Sequence, residues 1–336
     1  MTTELRKGTK VPVHIKNNRA CEEVFCITPE RYGAAAKRHP EVAKRLAVTI
    51  DWDLERFEDS IRTTEALVTW DLPTKDLAMR APRLKWIHII GAGIEHLRPL
   101  DWLPPGVSLI NNKGVHAPKA GEYGAMAILM LNNALPQLIT QQRLSIYEAI
   151  FTNTVAGKTL LIVGLGEMGG AVARQARRLG LYIIGIRRRA RPSRLADECY
   201  GIDALDSLLP RADFVLVTAP HTKETEGLID ARRLGLMKSS AGLINMSRAS
   251  VIDYAALIEQ LESGQLSGAV LDVFDPEPLP AESPLWHTPN LIMTPHVSSD
   301  DLNDYVPRTL DLFFANMARS LSGKPLRNRV RPKLGY

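Results

Sequence analysis

The feature that most constrains this chain is a glycine pattern set between two apolar runs. The run Thr159–Val163 is followed by glycines at G-x-G-x-x-G spacing, namely Gly164, Gly166 and Gly169. Residues at helical spacing then cover Met168–Leu179, and a second apolar run covers Leu181–Ile186. This order of strand, glycine turn, helix and strand predicts a βαβ unit whose turn and helix N-terminus can hold a pyrophosphate.

Each glycine of this turn has its own predicted role. Gly164 permits the tight turn, Gly166 lets the backbone approach a pyrophosphate, and Gly169 lets the helix pack closely on the strand. Glu167 and Met168, which lie between them, are assigned to the same cofactor loop. A glycine turn in an ordinary α/β sheet is the alternative, but the surrounding βαβ pattern favours a nucleotide site.

The end of the second strand predicts which dinucleotide binds. A site for NAD usually has Asp or Glu about 20 residues after the first glycine, to hold the ribose 2′-hydroxyl. Arg187 stands there, followed by Arg188 and Arg189, and no carboxylate occurs between Leu181 and Leu195. Because guanidinium groups match the oxygens of a 2′-phosphate, we predict NADPH, with NADH possible. The alternative is a solvated basic loop.

Length and composition limit the class of protein. With 336 residues, the chain is long enough for two domains, and its 45% hydrophobic and 24% charged residues are ordinary for a globular protein. Its 3 cysteines include no C-x-x-C pair, so we predict neither a disulfide framework nor a metal site. The N-terminus has no hydrophobic signal core and no apolar stretch is long enough to span a bilayer, which predicts a cytoplasmic protein without a membrane partner.

The net charge of +5 could indicate a nucleic-acid partner. Most of the excess lies in two places, the arginines after Ile186 and the tail Lys324–Lys333. The first has a cofactor explanation and the second can be a solvated tail. Since no nucleic-acid motif is present, we predict no nucleic-acid binding.

Strand and helix patterns alternate along most of the chain, which predicts an α/β fold with parallel sheets. Before the glycine turn, the predicted strands are Val11–Ile15, Ala47–Ile50, Ala66–Trp70, Leu84–Ile90 and Val107–Asn111. After the two strands of the βαβ unit come Phe214–Ala219, Gly242–Met246, Gly268–Phe274 and Leu291–Met293. The longer predicted helices are Pro29–Leu46, Lys119–Leu135, Ser250–Ser263 and Asp300–Leu321.

Ligands of doubly wound sheets bind at the carboxyl ends of the strands. Three charged residues follow strands of the second domain: Arg248, Glu277 and His296. Arg can hold a carboxylate and polarise a keto oxygen, His can give a proton near neutral pH, and Glu can orient the imidazole. This set suits the reduction of a 2-oxo acid, although spacing alone does not show that the three side chains meet.

The chain resembles the D-isomer-specific 2-hydroxyacid dehydrogenase family over nearly its whole length. Five segments carry the resemblance: GLGEMG at Gly164–Gly169, TAPHTKETEGLID at Thr218–Asp230, NMSRAS at Asn245–Ser250, LDVFDPEPLP at Leu271–Pro280 and PLWHTPNLIMTPHVS at Pro284–Ser298. Two departures are Ala249, where the family usually has Gly, and the segment HVSSDD after the histidine. Ala249 would be strained if its φ were positive.

The resemblance implies roles for single residues. Arg248 binds substrate, Glu277 pairs with His296, His296 is the general acid/base, and Asp272 contacts the nicotinamide carboxamide. In GAGIEH the backbone amides of Ala92, Gly93 and Ile94 hold the substrate carboxylate. The remaining predicted cofactor contacts are Ala219, Pro220, Thr225, Met246 and Ser247.

The family also implies the domain organisation. Two Rossmann-like domains enclose a cleft: a discontinuous substrate domain, 1–118 completed by 297–336, and an NAD(P)-binding domain, 119–296. A homodimer is expected. Within the family the arginine-rich strand end resembles NADPH-dependent glyoxylate/hydroxypyruvate reductases acting on small 2-oxo acids, while Glu277 argues against formate as substrate. The alternative is a cofactor-sensing binding protein, similar to corepressors on the same fold.

Overall fold

The computed structural model describes residues 10–331, and the chain divides into two compact units. One contains the residues up to His116 together with those from Asp301 onward, and the other is Ala117–Asp300. The family resemblance predicts domain boundaries at 118/119 and 296/297. The N-terminal stretch used in the argument about a signal segment, up to residue 9, and the end of the basic tail, 332 and 333, lie outside the described residues.

The strands and helices alternate as an α/β chain does. The strands are β1 (Val11–Asn17), β2 (Leu46–Trp52), β3 (Ala66–Thr69), β4 (Trp86–Ile89), β5 (Ser108–Asn111), β6 (Thr159–Val163), β7 (Tyr182–Ile186), β8 (Glu198–Tyr200), β9 (Phe214–Val217), β10 (Gly242–Asn245), β11 (Gly268–Leu271) and β12 (Leu291–Met293). The helices are α1 (Pro29–Arg38), α2 (Pro40–Ala43), α3 (Phe57–Ile61), α4 (Leu77–Arg80), α5 (Ala117–Asn132), α6 (Leu135–Arg143), α7 (Glu167–Arg178), α8 (Leu205–Leu208), α9 (Ala231–Leu234), α10 (Tyr254–Glu262) and α11 (Tyr305–Leu321). Short 3-10 turns join several of these elements.

The first unit is built on a parallel five-stranded sheet in the order β2-β1-β3-β4-β5. Successive side chains of β3 enter separate cores on opposite faces, Val68 on one side and Leu67 on the other, as expected of a sheet covered on both sides. Helix α11 returns from the end of the chain to one face, where Leu310, Phe313 and Phe314 are fully buried and Phe313 packs against Trp86. The C-terminal part of the chain is therefore an integral part of this unit.

The second unit carries a parallel seven-stranded sheet in the order β12-β11-β10-β9-β6-β7-β8. Successive side chains of β6 enter separate cores on opposite faces, Leu160 and Ile162 on one side and Leu161 and Val163 on the other. The order reverses beside β6, which pairs with β7 on one side and β9 on the other. That reversal is the position at which such sheets bind ligands. The predicted α/β fold with doubly wound parallel sheets is confirmed.

Two predicted helices have different limits in the structure, one because of a proline and the other because of a capping residue. The predicted helix Pro29–Leu46 is two helices, α1 and α2, because Pro40 starts a new one, and Leu46 already belongs to β2. The predicted helix Ser250–Ser263 begins only at Tyr254, since the Asp253 carboxylate accepts the amide of Ala256 and caps the helix there.

Two prolines stand in the first turns of helices. Pro136 does not end the helical region but stands in the first turn of a further helix, α6, after Ala134 turns the chain with φ of +52°. Pro307 likewise lies in the first turn of α11, which starts at Tyr305 instead of Asp300. None of the described helices is both long and apolar enough to cross a lipid bilayer.

Candidate active site

The sheet of the second unit aligns the ends of six strands. Val163 pairs with Ile186 and Val217, and along the other side Val217, Asn245, Leu271 and Met293 are partners in register. The residues that directly follow these six therefore leave the sheet at one level, which we call the strand-end level. They are Gly164, Arg187, Thr218, Met246, Asp272 and Thr294. Most of the predicted cofactor and catalytic residues of this unit lie on this level or within five residues after it.

Two glycines of the loop after β6 are required by close packing. Gly164 has φ of +105°, and a Cβ there would lie 2.5 Å from the backbone nitrogen of Ala219. A Cβ on Gly169 would lie 2.6 Å from the Gly164 carbonyl oxygen and 2.7 Å from the Thr218 hydroxyl oxygen. The turn and the close contact between helix and strand thus exclude any side chain at these two positions.

Close packing within the protein does not require a glycine at Gly166. A Cβ on it would meet nothing nearer than the Gly164 carbonyl oxygen at 3.9 Å, and its φ of −98° suits any residue. Gly166 is the N-cap of α7 and lacks a side-chain cap, so the helix presents backbone amides and its positive dipole end beside Glu167 and Met168. The space beside this glycine is open, and backbone amides at a helix N-terminus are suited to hold a phosphate group such as that of a dinucleotide.

The end of β7 carries arginines and no acid. Arg187 is half-buried, with its amide bonded to the Tyr200 carbonyl at 3.0 Å, and Arg188 and Arg189 are exposed. The next carboxylate on the adjacent strand, Glu198, pairs in register with Ile184, short of the strand end. It is engaged by Arg211, which with Tyr200 and Tyr182 holds its pKa at about 2. This arrangement fits a phosphorylated ribose better than a free 2′-hydroxyl.

The loop after β9 is braced by its own side chains. The Thr225 hydroxyl donates to the Pro220 carbonyl oxygen at 2.7 Å and accepts the amide of Thr222 at 2.8 Å. Ala219 is buried beside Gly164, while Pro220 is exposed. In this structure Thr225 shapes the loop, and a contact with the cofactor remains a prediction for it.

Arg248 is held at the end of β10 by a buried asparagine. The Asn245 amide donates to the Arg248 carbonyl oxygen at 3.1 Å and to the Tyr254 hydroxyl at 2.9 Å, while its oxygen accepts the Ser247 amide and hydroxyl. Ser247 and Met246 are buried. Ala249 begins a 3-10 turn and has no positive φ, so alanine in place of glycine causes no backbone strain here.

Asp272 is a buried hub of hydrogen bonds. Its carboxylate accepts the Thr294 hydroxyl at 2.6 Å and the amides of Val297 and Ser298 at 3.0 and 3.1 Å. Thr294 in turn bonds the hydroxyl of Tyr123 from α5 at 2.6 Å, and burial raises the pKa of Tyr123 to about 12, which keeps that hydroxyl protonated as a donor. Asp272 was predicted as a nicotinamide contact; the observed bonds give it a part in shaping the turn around His296.

His296 and Glu277 form a hydrogen-bonded pair. The Nδ1 atom of His296 lies 2.8 Å from Oε2 of Glu277, and the other carboxylate oxygen accepts the amide of Phe274 at 2.8 Å. The imidazole is 44% exposed, so with Nδ1 facing the carboxylate, Nε2 is the nitrogen left to exchange a proton with a reactant. An imidazole held in one tautomer and orientation in this way can serve as a general acid.

The backbone of His296 is held in an uncommon conformation. Its φ is +52°, in the left-handed region that costs a non-glycine residue roughly 1 kcal/mol. The His296 amide donates to the carbonyl oxygens of Asp272 at 2.8 Å and Thr294 at 3.0 Å. The Asp272 carboxylate also accepts the two amides that follow, so hydrogen bonds support the turn that places the imidazole beside Glu277.

The loop after β4 in the first unit presents backbone groups. Trp70 packs directly on Gly91, where a Cβ would lie 2.2 Å from its ring. The carbonyl oxygen of Ala92 accepts the Asn111 side-chain amide at 2.7 Å, and that of Gly91 accepts the Asn112 backbone amide at 2.9 Å. The substrate contact predicted for Ala92, Gly93 and Ile94 is not tested by these bonds, but they fix the loop that would make it.

Sequence reasoning did not identify the residues that support the site. No role was predicted for Tyr123, Thr294, Asn245 or Asn112, although all four make buried or partly buried hydrogen bonds next to predicted site residues. Their only sequence signal is position, since Asn112 and Thr294 directly follow strands or strand ends. Within residues 10–331, no cluster of three or more His, Cys, Asp or Glu side chains could hold a metal ion.

Comparison with known proteins identifies the family of the second unit. Residues 125–298 match the family described as D-isomer specific 2-hydroxyacid dehydrogenase, NAD binding domain. A glyoxylate reductase of Thermococcus litoralis is 32% identical over 254 residues, covering 72% of this chain and 76% of the relative. A D-3-phosphoglycerate dehydrogenase of Mycobacterium bovis is 30% identical over 251 residues, which are 74% of this chain. This chain covers only 47% of that longer relative, about half its length.

A solved structure extends the similarity to the whole fold. The NADPH-dependent glyoxylate/hydroxypyruvate reductase of Sinorhizobium meliloti, solved in complex with NADP and sulfate, has a TM-score of 0.80 to this chain and is 28% identical. The match covers 97% of this chain and 100% of the other. Both units are therefore of the fold that this reductase has.

Proposed function

Because the chain belongs to the D-isomer specific 2-hydroxyacid dehydrogenase family, we propose that it is an NADPH-dependent reductase of small 2-oxo acids, of the glyoxylate or hydroxypyruvate type. The observation that carries the proposal is the pair of His296 and Glu277, 2.8 Å apart, on a turn at the strand-end level. The names of the relatives, glyoxylate reductase and glyoxylate/hydroxypyruvate reductase, support this substrate class.

The residues at the strand-end level fit a nicotinamide dinucleotide. Gly166 and the N-terminus of α7 would hold the pyrophosphate, and Arg187, Arg188 and Arg189 would bind a ribose 2′-phosphate. Ala219, Pro220, Thr225, Met246, Ser247 and Asp272 remain the further proposed contacts. When bound, the reduced nicotinamide supplies a hydride for carbon 2 of the oxo acid.

Side chains of the protein would polarise the oxo group of the substrate and supply the proton. The Arg248 guanidinium would hold the oxo acid and draw electron density toward the oxo oxygen. Protonated His296 would give the Nε2 proton to that oxygen as it becomes a hydroxyl, leaving a neutral imidazole whose Nδ1–H still donates to Glu277. The backbone amides of Ala92, Gly93 and Ile94 remain the proposed receptor for the substrate carboxylate.

A spectrophotometric screen at ~340 nm tests the proposal, because reduced nicotinamides absorb there. NADPH and NADH are each tested against glyoxylate, hydroxypyruvate, pyruvate and longer 2-oxo acids. We expect rapid oxidation of NADPH with a two- or three-carbon acid, abolished in His296→Gln, which should bind NADPH as the native protein does. Binding of NADPH without turnover of any acid would instead favour the cofactor-sensing alternative.

We further propose that the protein acts as a homodimer. Residues 145–154 follow α6 without regular structure and are exposed, including Tyr147 at 104% and Phe151 at 94% of full exposure. Large apolar side chains in such a segment indicate a protein contact surface. The double variant Tyr147→Ser, Phe151→Ser should have a lower mass in light scattering than the native protein, whereas the control Met79→Ser should not. A native protein that runs as a monomer would contradict this.

A further inference from the structure

We propose that Asn112 is a positioning residue for substrate: held by His88, it fixes the loop after β4 so that the amides of Ala92 and Gly93 form a receptor for the carboxylate of the oxo acid. This inference rests on the proposed function, since it names how one part of that site is built. It adds two residues, Asn112 and His88, to which neither sequence motif nor comparison gives a role.

Three consecutive carbonyl groups of the loop are bonded to two neighbouring asparagines. The Ile90 carbonyl oxygen accepts the Asn112 side-chain amide at 2.6 Å. The Gly91 carbonyl accepts the Asn112 backbone amide at 2.9 Å, and the Ala92 carbonyl accepts the Asn111 side-chain amide at 2.7 Å. All three oxygens are thus directed at the start of the segment that follows β5.

The orientation of the carbonyls determines that of the amides. In a trans peptide the C=O of one residue and the N–H of the next point in opposite directions. Since the oxygens of Gly91 and Ala92 are directed toward the asparagines, the N–H groups of Ala92 and Gly93 are directed away from them. Successive amides that face the same way form an anion-binding concavity, which suits a carboxylate.

The side chain of Asn112 can take only one of its two amide orientations. Its Oδ1 lies 2.8 Å from Nε2 of His88, and its Nδ2 donates both to the Ile90 carbonyl and, at 2.8 Å, to the Thr309 hydroxyl. Because a carbonyl only accepts, Nδ2 must face Ile90. The Tyr305 hydroxyl of α11 also donates to the Ile90 carbonyl.

Burial makes this arrangement rigid. Asn112 and His88 are 0% exposed and Thr309 is 1% exposed. Nδ1 of His88 has no partner within the described part of the chain, so the histidine is neutral with its proton on Nε2, in keeping with a pKa lowered to about 4 by burial. In that tautomer His88 can only donate to Asn112. Loss of the Asn112 side-chain amide would leave the buried Nε2–H of His88 without its acceptor and would remove the bond from Asn112 to the Ile90 carbonyl.

The test is Asn112→Asp, which keeps the size of the side chain but sets a carboxylate oxygen against the Ile90 carbonyl. We expect KM for the oxo acid and Ki for oxalate, an unreactive carboxylate probe, to rise at least about tenfold. The Kd for NADPH should change less than about twofold and kcat less than about threefold. The matched control is Asn316→Asp: Asn316 is 0% exposed in the same unit and accepts the Arg327 amide at 2.7 Å, away from the loop.

A second variant covers the case in which Asn112→Asp does not fold. Thr309→Val removes one acceptor of the Asn112 amide and keeps the shape of the side chain, so KM should rise about two- to fivefold in a folded protein. Unchanged KM and Ki in either folded variant, or an equal rise in Asn316→Asp, would overturn the inference. Lack of turnover by the native protein with every 2-oxo acid would instead overturn the proposed function.

Discussion

At the scale of single residues, the carboxylate of Glu277 makes two hydrogen bonds and carries a negative charge beside His296. A substitution can remove the charge and keep a hydrogen bond. One oxygen accepts the Phe274 amide and the other faces Nδ1 of His296. In Glu277→Gln the amide oxygen can keep either bond, but the negative charge beside the imidazole is lost. We expect kcat for oxo-acid reduction to fall about ten- to hundredfold, because a neutral amide makes a weaker hydrogen bond to the imidazole than a carboxylate does and holds the proton donor less firmly. Steady-state kinetics measures this.

The control for that charge is Glu282→Gln. Glu282 is an exposed acid on the same segment, and its replacement should leave kcat within about twofold. Thermal denaturation of both variants shows whether the fold is intact. Equal activity of Glu277→Gln and the native protein would refute the assigned role of the pair.

Thr294 offers a second test, because it links Tyr123 to Asp272 and is not among the proposed contacts of cofactor or substrate. Thr294→Val keeps the shape but removes the hydroxyl that donates to Asp272 at 2.6 Å. The lost bonds should lower the free energy of unfolding by about 1–3 kcal/mol. Since the turn that carries His296 loses one support, kcat should fall severalfold with the Kd for NADPH unchanged.

Thr288→Val is the matched control for Thr294→Val. The Thr288 hydroxyl, in a side chain only 3% exposed, donates to the Pro284 carbonyl at 3.0 Å. Its loss should lower stability similarly but leave kcat alone. If both variants lost the same activity, the effect would come from general destabilisation and not from the position of His296.

At the scale of elements, substitutions of the glycines around the start of α7 distinguish a loss of internal packing from a loss of ligand contact. Gly169→Ala places a Cβ within 3 Å of three atoms and should destabilise the protein by about 1–3 kcal/mol. Gly166→Ala adds a methyl group to open space and should leave the melting temperature unchanged or slightly higher. It should nevertheless weaken NADPH binding at least tenfold, because the methyl group occupies the space proposed for phosphate. Fluorescence titration and thermal denaturation measure the two effects, and native-like binding by Gly166→Ala would contradict the assignment.

The arginines after β7 make a separate prediction about cofactor choice. The double variant Arg187→Ala, Arg188→Ala should raise KM for NADPH about tenfold or more, since each charge-assisted hydrogen bond contributes roughly 1.5–3 kcal/mol. KM for NADH should change little, because that cofactor has no 2′-phosphate. Arg178→Ala, on the exposed end of α7, is the control. Equal increases for both cofactors would assign the arginines to the pyrophosphate or to general attraction.

The elements that sequence patterns could predict are those with local signals. The glycine turn, the strands of the second unit and the order of residues at their ends follow from periodicity and from the rule that parallel strands end at one edge. The pairing of Glu277 with His296 came from the family resemblance, and the geometry agrees with it. By contrast, the bond between Tyr123 and Thr294 joins residues 171 positions apart, which no local pattern encodes. The start of α6 at Leu135 was not predicted, because Pro136 in its first turn is a residue that can end a helix as well as begin one.

At the scale of the whole molecule, two buried histidines predict sensitivity to acid. His14 and His88 are 0% exposed, and burial lowers the pKa of each from 6.5 to about 4. Between these values the unfolded chain binds protons that the native chain does not, so the free energy of unfolding falls as pH falls from 6.5 toward 4. His88 alone should contribute on the order of 3 kcal/mol to this loss.

Urea denaturation at pH 7 and pH 5 measures the effect. A His14→Gln variant should be less stable than the native protein at pH 7 but should lose less stability on going to pH 5. An exposed histidine, His287, provides the control, since His287→Gln should leave the pH dependence unchanged. If the free energy of unfolding fell equally between pH 7 and pH 5 in His14→Gln and in the native protein, His14 would not be the group responsible.

The return of α11 to the first sheet has a consequence for protein synthesis. The core of that unit includes Phe313 and Phe314, and its edge strand β5 bridges to Arg329. A ribosome releases these residues only after all of Ala117–Asp300 has been translated. The second unit can therefore complete its core first, whereas the core of the first unit stays incomplete until α11 has been translated. A nascent chain that stops before residue 301 should thus expose the apolar face of the first sheet and be a substrate for chaperones and proteases.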